Sequence, residues 1–152
     1  MRKLLLVAAL ALILAPLSVG CSKPPQGGGD TTSGLTAADQ RFLNEHVYFD
    51  FDRYNIRSDQ ISVLQDKVAY LNENPTVQAE IQGHADERGT EAYNLALGDR
   101  RAKAAYNYVV GQGVSGGRLA TISYGEDRPL DLGDGESAWS RNRRAQFVLL
   151  GR

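Results

Sequence analysis

Between residues 47 and 81 the hydrophobic period changes twice, and those changes constrain the fold more than any other feature. Val47, Phe49 and Phe51 alternate with Tyr48, Asp50 and Asp52, the period of two expected of a half-buried strand. Ile61, Leu64, Val68 and Leu71 then recur at intervals of three and four, which places them on one face of a helix. Ser58 is its expected N-cap and Asn74-Pro75 its stop. Val77, Ala79 and Ile81 return to alternation in a strand that ends at Gly83. A second helix is expected from about Ala92 to Val110, with Leu97, Ala104, Ala105 and Tyr108 along its apolar line and Gly111 as its stop. Leu119–Tyr124 reads as a third strand with Ile122 and Tyr124 packed, and Gly125–Glu136 as a loop rich in Gly and Asp. Ser137–Asn142 reads as a short helical turn and Arg144–Leu150 as a final strand. The order β-α-β-α-β-(α)-β predicts an α+β two-layer sandwich, a mixed sheet with both long helices on one face.

The segment ahead of this domain is of another kind. Arg2 and Lys3 precede an apolar run, Leu4–Leu17, broken only by Pro16, and Ser18, Val19 and Gly20 lead to Cys21. Residues 1–20 therefore read as an export signal, whose apolar run of about 14 residues is shorter than the ~20 a spanning helix needs. Cys21 is the chain's one cysteine. It stands where bacterial lipoproteins carry the acyl-accepting residue, with Ser18 at the place that pattern prefers leucine. Lipidation would leave Cys21 as the N-terminus and no thiol for a disulfide, a metal site or a nucleophile. A hydrophobic core must then hold the fold, and residues 41–152 suffice for one domain. Residues 21–40 hold the lipidated end and a flexible spacer, of which Ser22–Gly34 reads SKPPQGGGDTTSG and reaches roughly 20 Å. Loss of residues 1–20 takes the net charge from −1 to −3, which gives no electrostatic case for a nucleic-acid partner.

The densest polar stretch is GHADERGTEAYNLALGDRRA, residues 83–102, which leaves a strand end, crosses a loop and enters a helix. Loops of this kind turn unpaired backbone N–H groups outward and suit anions. Asp86 in the loop and Arg101 in the helix are placed to flank one pocket, where the carboxylate accepts an ammonium and the guanidinium grips a carboxylate with two hydrogen bonds. The plainer reading is that Asp86 and Arg101 pair with each other. His84 is read as satisfying a backbone group at the strand end, and Tyr93, Tyr106 and Tyr108 as core or interface residues. Asn142-Arg143-Arg144 is either a solvated strand start or a source of one arginine for the same pocket. The sequence holds no HExxH, no GxSxG and no phosphate-cradling glycine loop, so neither metal nor cofactor is expected.

Four stretches, VYFDFDRYNIRSD from Val47, GHADERGTEAYNLALGDRRA from Gly83, SYGEDRP from Ser123 and NRRA from Asn142, resemble the OmpA-like peptidoglycan-binding family. They do so in order and over nearly the whole domain. The lipidated cysteine and spacer are similar to the family's lipoprotein branch rather than to members that follow a membrane barrel. The resemblance implies non-covalent binding of the peptide stem of peptidoglycan, centred on meso-diaminopimelate, whose side-chain stereocentre carries an ammonium and a carboxylate. It implies Asp86 for the ammonium, Arg101 for the carboxylate, Asp52 and Arg143 lining the pocket, and backbone amides near Glu87 and Arg88 contributing. The family usually reads Leu-Ser where this chain has Leu97-Gly98. The resemblance also implies anchoring in the outer membrane through acylated Cys21, with the domain facing the periplasm. It further implies TolB and other Tol proteins as partners, and a part in envelope integrity and division without catalysis. The alternative of another class is a periplasmic enzyme that cuts or amidates peptidoglycan, with His84, Asp86 and Glu87 as metal or acid–base groups.

Overall fold

The computed structural model describes residues 34–151. The signal segment 1–20, Cys21 and most of the spacer expected up to residue 40 lie outside the described residues. The last part of that spacer, expected to be flexible, is helical, in α1 (Ala37–Asn44). Thr36 caps it: the Thr36 hydroxyl accepts from the Asp39 amide at 3.2 Å and the Asp39 carboxylate accepts from the Thr36 amide at 2.7 Å, a reciprocal capping box. Phe42 is the reason the helix docks, since its ring is buried, stacked on Tyr70 at 4.3 Å and edge-on to Phe147 at 5.6 Å.

The remaining elements are β1 (Val47–Tyr48), α2 (Ile61–Glu73), β2 (Gln78–His84), α3 (Glu91–Gly111), β3 (Leu119–Gly125), α4 (Glu136–Asn142) and β4 (Arg144–Gly151). They form a four-stranded mixed sheet in the order β1-β4-β2-β3. β2 and β3, joined through α3, are parallel, as a long helical crossover requires. β4 returns through the middle, antiparallel to β1 with Val47 opposite Ala145 and to β2 with Ile81 opposite Phe147. Ala79, Ile81, Ala145 and Phe147 turn to one face, where Leu64 and Leu71 of α2 and Ala102, Ala105 and Val109 of α3 complete one core. Both long helices cover that face, as the order of elements predicts.

Three apolar positions depart from their expected burial. Phe51 is 54% exposed, because β1 ends at Tyr48 and the chain turns at Asp52, which adopts the left-handed conformation (φ 55°) that aspartate tolerates. Ile61 is exposed at the first turn of α2, where Ser58 belongs to a preceding 3-10 turn and Gln60 takes the cap without a side-chain bond. Ile122 is exposed on the sheet face that no helix covers. On α2 the inward face is completed by a lysine. Lys67 is buried and its ammonium donates to the carbonyls of Arg41, at 3.3 Å, and Phe42, satisfying the end of α1. Burial lowers its pKa to about 8.

α3 lies unusually close to the sheet because two glycines face each other. A Cβ on Gly83 would stand 1.9 Å from the carbonyl oxygen of Gly98, and one on Gly98 would stand 2.8 Å from the carbonyl oxygen of Gly83. Gly98 is therefore a packing requirement of β2 against α3. This close approach sets the height of the next helical turn, which carries Arg101. Gly83→Ala is expected to lower unfolding free energy by about 3 kcal/mol, seen as a lower urea midpoint with an unchanged m value.

Candidate functional site

Arg101 projects from the buried side of α3 and is fully enclosed. Its Nε donates to the Arg53 carbonyl at 2.8 Å, Nη1 to the His84 carbonyl at 2.7 Å and Nη2 to the Asp50 carbonyl at 3.1 Å. The loop after β1 and the end of β2 are thus both tied to one helix through a single guanidinium. A guanidinium has five N–H groups, so one remains on each Nη atom. Burial lowers the Arg101 pKa to about 10, against the opposing fields of Asp86 and Asp52, and the group stays charged at neutral pH.

Asp86 follows β2 in the loop that leads to α3 and is buried. It does not pair with Arg101. Arg88 folds back on it, with Nη2 at 2.7 Å from Oδ2 and both Nε and the backbone N at 3.2 Å from Oδ1. Arg143 reaches it from the junction between α4 and β4, with Nη1 at 3.2 Å from Oδ2, and also donates from Nε to the Phe49 carbonyl at 3.1 Å and from Nη2 to Glu136 at 2.5 Å. Burial pushes the Asp86 carboxyl up, but the hydrogen bonds from Arg88 and Arg143 outweigh it and hold the group below the usual carboxylate range.

Asp86, Arg101 and Asp52 line one cleft of about 420 Å³. Its apolar walls are Phe51 and Leu97, and Arg88, Tyr93, Asn94, Thr90 and Gly89 complete it. Gly89 takes φ 119°, which a side chain rarely adopts, and lets the loop reach Thr90, the N-cap of α3. The Tyr93 hydroxyl donates to the Asp52 carboxylate across the opening. Arg143 is absent from the lining and stands behind Asp86. Tyr93, expected in a core or interface, is exposed at the cleft instead. Tyr106 and Tyr108 do pack against the core.

Arg88 is the main residue that sequence reasoning left without a side-chain role. Its guanidinium lies 3.9 Å from the Phe51 ring centroid and 4.2 Å from that of Trp139. The Trp139 indole N–H in turn donates to Glu87 at 3.0 Å. The spacing of Arg88 two residues after Asp86 is a signal, since Asp carboxylates commonly bond the backbone two residues on. The partnership with Phe51 and Trp139 left no local signal, because three distant segments supply it.

His84 does not do what its position suggested. Its carbonyl accepts from Arg101, but its ring is 1% exposed and turned away from the cleft, stacked on Tyr124 at 5.7 Å. Neither ring nitrogen finds a hydrogen-bond partner among the described residues, and the same holds for His46 Nδ1. The fold brings His46 near enough for the two to interact. Burial, followed by the charge of Arg144, lowers His84 to about 3 and His46 to about 4.

Comparison with known proteins gives concordant matches. The model of the OmpA family matches residues 48–143. The peptidoglycan-associated lipoprotein of Pasteurella multocida is 41% identical over 145 residues, which cover 95% of this chain and 95% of that one. That of Brucella melitensis is 40% identical over 153 residues, covering 94% of this chain and 91% of that one. The crystal structure of the peptidoglycan-associated lipoprotein from Burkholderia pseudomallei superimposes with a TM-score of 0.69 at 37% identity, covering 79% of this chain and 99% of that one. The C-terminal domain of Helicobacter pylori MotB shares the fold, with a TM-score of 0.64 at 18% identity over 71% of this chain and 85% of that one.

The two histidines make a measurable contribution to acid sensitivity. Each is protonated below about 6.5 when unfolded, yet stays neutral in the fold down to about 4 or 3. The unfolded chain thus binds more protons across that window, and stability falls as pH drops through it. Between pH 6.5 and 5 the unfolding free energy is expected to fall by up to roughly 1.4 kcal/mol per pH unit per histidine. His84→Phe, which keeps an aromatic ring beside Tyr124, is expected to reduce that slope by about half in urea titrations.

Proposed function

This chain belongs to the OmpA family, and on that premise we propose that it is a lipoprotein that binds peptidoglycan through the cleft between Asp86 and Arg101. The observation that carries this reading is the pairing, within one cleft, of an ionised carboxylate and a buried guanidinium that do not neutralise each other. Opposite charges held apart in this way match the zwitterionic end of meso-diaminopimelate. Asp86 takes its ammonium and the two spare N–H groups of Arg101 take its carboxylate. Asp52, hydrogen-bonded by Tyr93, flanks the ligand, and Arg143 acts from behind by keeping Asp86 ionised. The names of the relatives, peptidoglycan-associated lipoproteins, support the ligand class.

On this reading the protein joins two surfaces. Acyl chains on Cys21 hold the outer membrane, each buried methylene adding ~0.8 kcal/mol, while the domain holds the cell wall from the periplasm. The wall end is a small polar site and attaches reversibly, and many copies on one polymer give a firm junction through effective concentration. TolB and the other Tol proteins are its proposed partners in envelope integrity and division. The enzymatic alternative needs the imidazole of His84 at the reacting centre, and that ring is buried on the opposite face of the sheet.

The ligand itself supplies the cleanest test. A stem peptide with lysine in place of meso-diaminopimelate keeps the ammonium and loses the carboxylate. Calorimetry is expected to find it about 10–100-fold weaker, the worth of charge-assisted bonds to Arg101. Equal affinity for the two peptides rejects the clasp. Asp86→Asn is expected to weaken the diaminopimelate peptide at least about 30-fold, with a thermal transition that stays cooperative but moves to lower temperature because Arg143 loses its buried carboxylate. Arg101→Ala is a poorer test, because it leaves three backbone carbonyls unpaired and unfolds the site. For the anchor, Cys21→Ala is expected to move the protein from the membrane pellet to the soluble fraction, and continued sedimentation with membranes rejects acylation at Cys21.

A further inference from the structure

Asp86 has no vacancy for an incoming ammonium. A carboxylate offers about four acceptor positions, and four donors reach these two oxygens: the backbone N, Nε and Nη2 of Arg88, and Nη1 of Arg143. A cation binds Asp86 only if one of them leaves. Arg143 is buried and fixed at two further points, the Phe49 carbonyl and Glu136. The Arg88 amide belongs to the turn itself. The side chain of Arg88 is different, being partly exposed at the mouth of the cleft on a loop.

Resting on the proposed reading of this cleft, we infer that the Arg88 guanidinium is a displaceable stand-in for the ligand's ammonium, a latch that occupies Asp86 in the empty site and moves to Glu136 when ligand arrives. The second resting place is already present. Glu136 Oε2 lies 3.6 Å from Arg88 Nη2, and its carboxylate is largely exposed. The rings of Phe51 and Trp139 flank the guanidinium on the way. Sliding between them exchanges one carboxylate for another without leaving the aromatic contact, so the movement is short and the charge stays paired. The exchange also confers selectivity. A neutral group cannot replace a guanidinium on Asp86, because it would leave a buried carboxylate short of positive charge. Only a cation that fits between Arg143 and Arg101 completes the swap.

The test uses full-length protein and a soluble meso-diaminopimelate stem peptide, with Arg88→Gln, Glu136→Gln and the double variant measured by calorimetry. Removing the competitor is expected to tighten binding about 10-fold in Arg88→Gln, the worth of one charge-assisted contact. Removing the receiving carboxylate is expected to weaken binding in Glu136→Gln, and that loss is expected to shrink when Arg88 is already absent. In the wild-type protein, saturation with peptide is expected to abolish the through-hydrogen-bond coupling between Arg88 Nε and the Asp86 carboxylate, which a purely structural Arg88 would keep. Unchanged or weaker binding by Arg88→Gln, in a wild type that binds normally, overturns the latch and leaves the Asp86–Arg101 clasp intact. Absence of binding by wild type and every variant overturns the clasp and the latch together.

Discussion

The arrangement depends on one buried guanidinium. Arg101 comes from the middle of α3 and holds the carbonyls of Asp50, Arg53 and His84. Those carbonyls belong to the turn after β1, which lies beyond the sheet pairing, and to the end of β2, so one helix ties the loop to the sheet. An enclosed charge is costly unless its hydrogen bonds are met, and here the backbone meets them. The reward is a loop geometry set before any ligand is present. The same cation that organises the loops faces the cleft they enclose, so the structural and recognition roles of Arg101 are inseparable.

The height of that cation above the sheet is a matter of glycine. Gly83 and Gly98 allow α3 to approach β2 until backbone meets backbone, and Arg101 follows three residues later on the same side of the helix. A helix held farther out would carry the guanidinium away from the His84 carbonyl. The side chain and the carbonyl of His84 thus serve different ends of the structure. The carbonyl steadies Arg101, and the imidazole is buried beside Tyr124, on the sheet face away from α3, as a neutral aromatic group.

Around the cleft, charge is balanced without being cancelled. Asp86 sits among Arg88, Arg143 and Arg101, while Asp52 and Glu136 lie at the margins. A carboxylate in such surroundings stays ionised through the physiological range despite its burial. Phe51 is exposed and Trp139 half-buried for the same reason that Arg88 is partly exposed. Phe51 and Trp139 are partners of a cation at the surface rather than members of the core. This accounts for the apolar residue that most clearly defied the alternation pattern: Phe51 continues the period of two of β1 beyond the point where the strand stops.

The order of strands and helices, the face they bury and the residues that converge on the cleft from positions 52, 86 and 101 were legible in the sequence. Period, capping and turn chemistry are local properties, and the resemblance of four ordered stretches joined them into one domain. Helix α1 escaped because few apolar side chains dock it and its other anchors, Lys67 on the carbonyls of Arg41 and Phe42 and Tyr70 on Asp39, come from distant α2. The partners of Asp86 were not legible either. The spacing of Arg88 hinted at its backbone contact alone; Glu136 and Arg143 stand at the two ends of α4, far along the chain, and whether they pair with Asp86, with Arg88 or with one another depends on distances that no spacing encodes. The sequence by itself determined which elements form and which charges are available to them. Tertiary structure alone decided that Asp86 and Arg101 face each other without pairing, because close packing gave each of them other partners first.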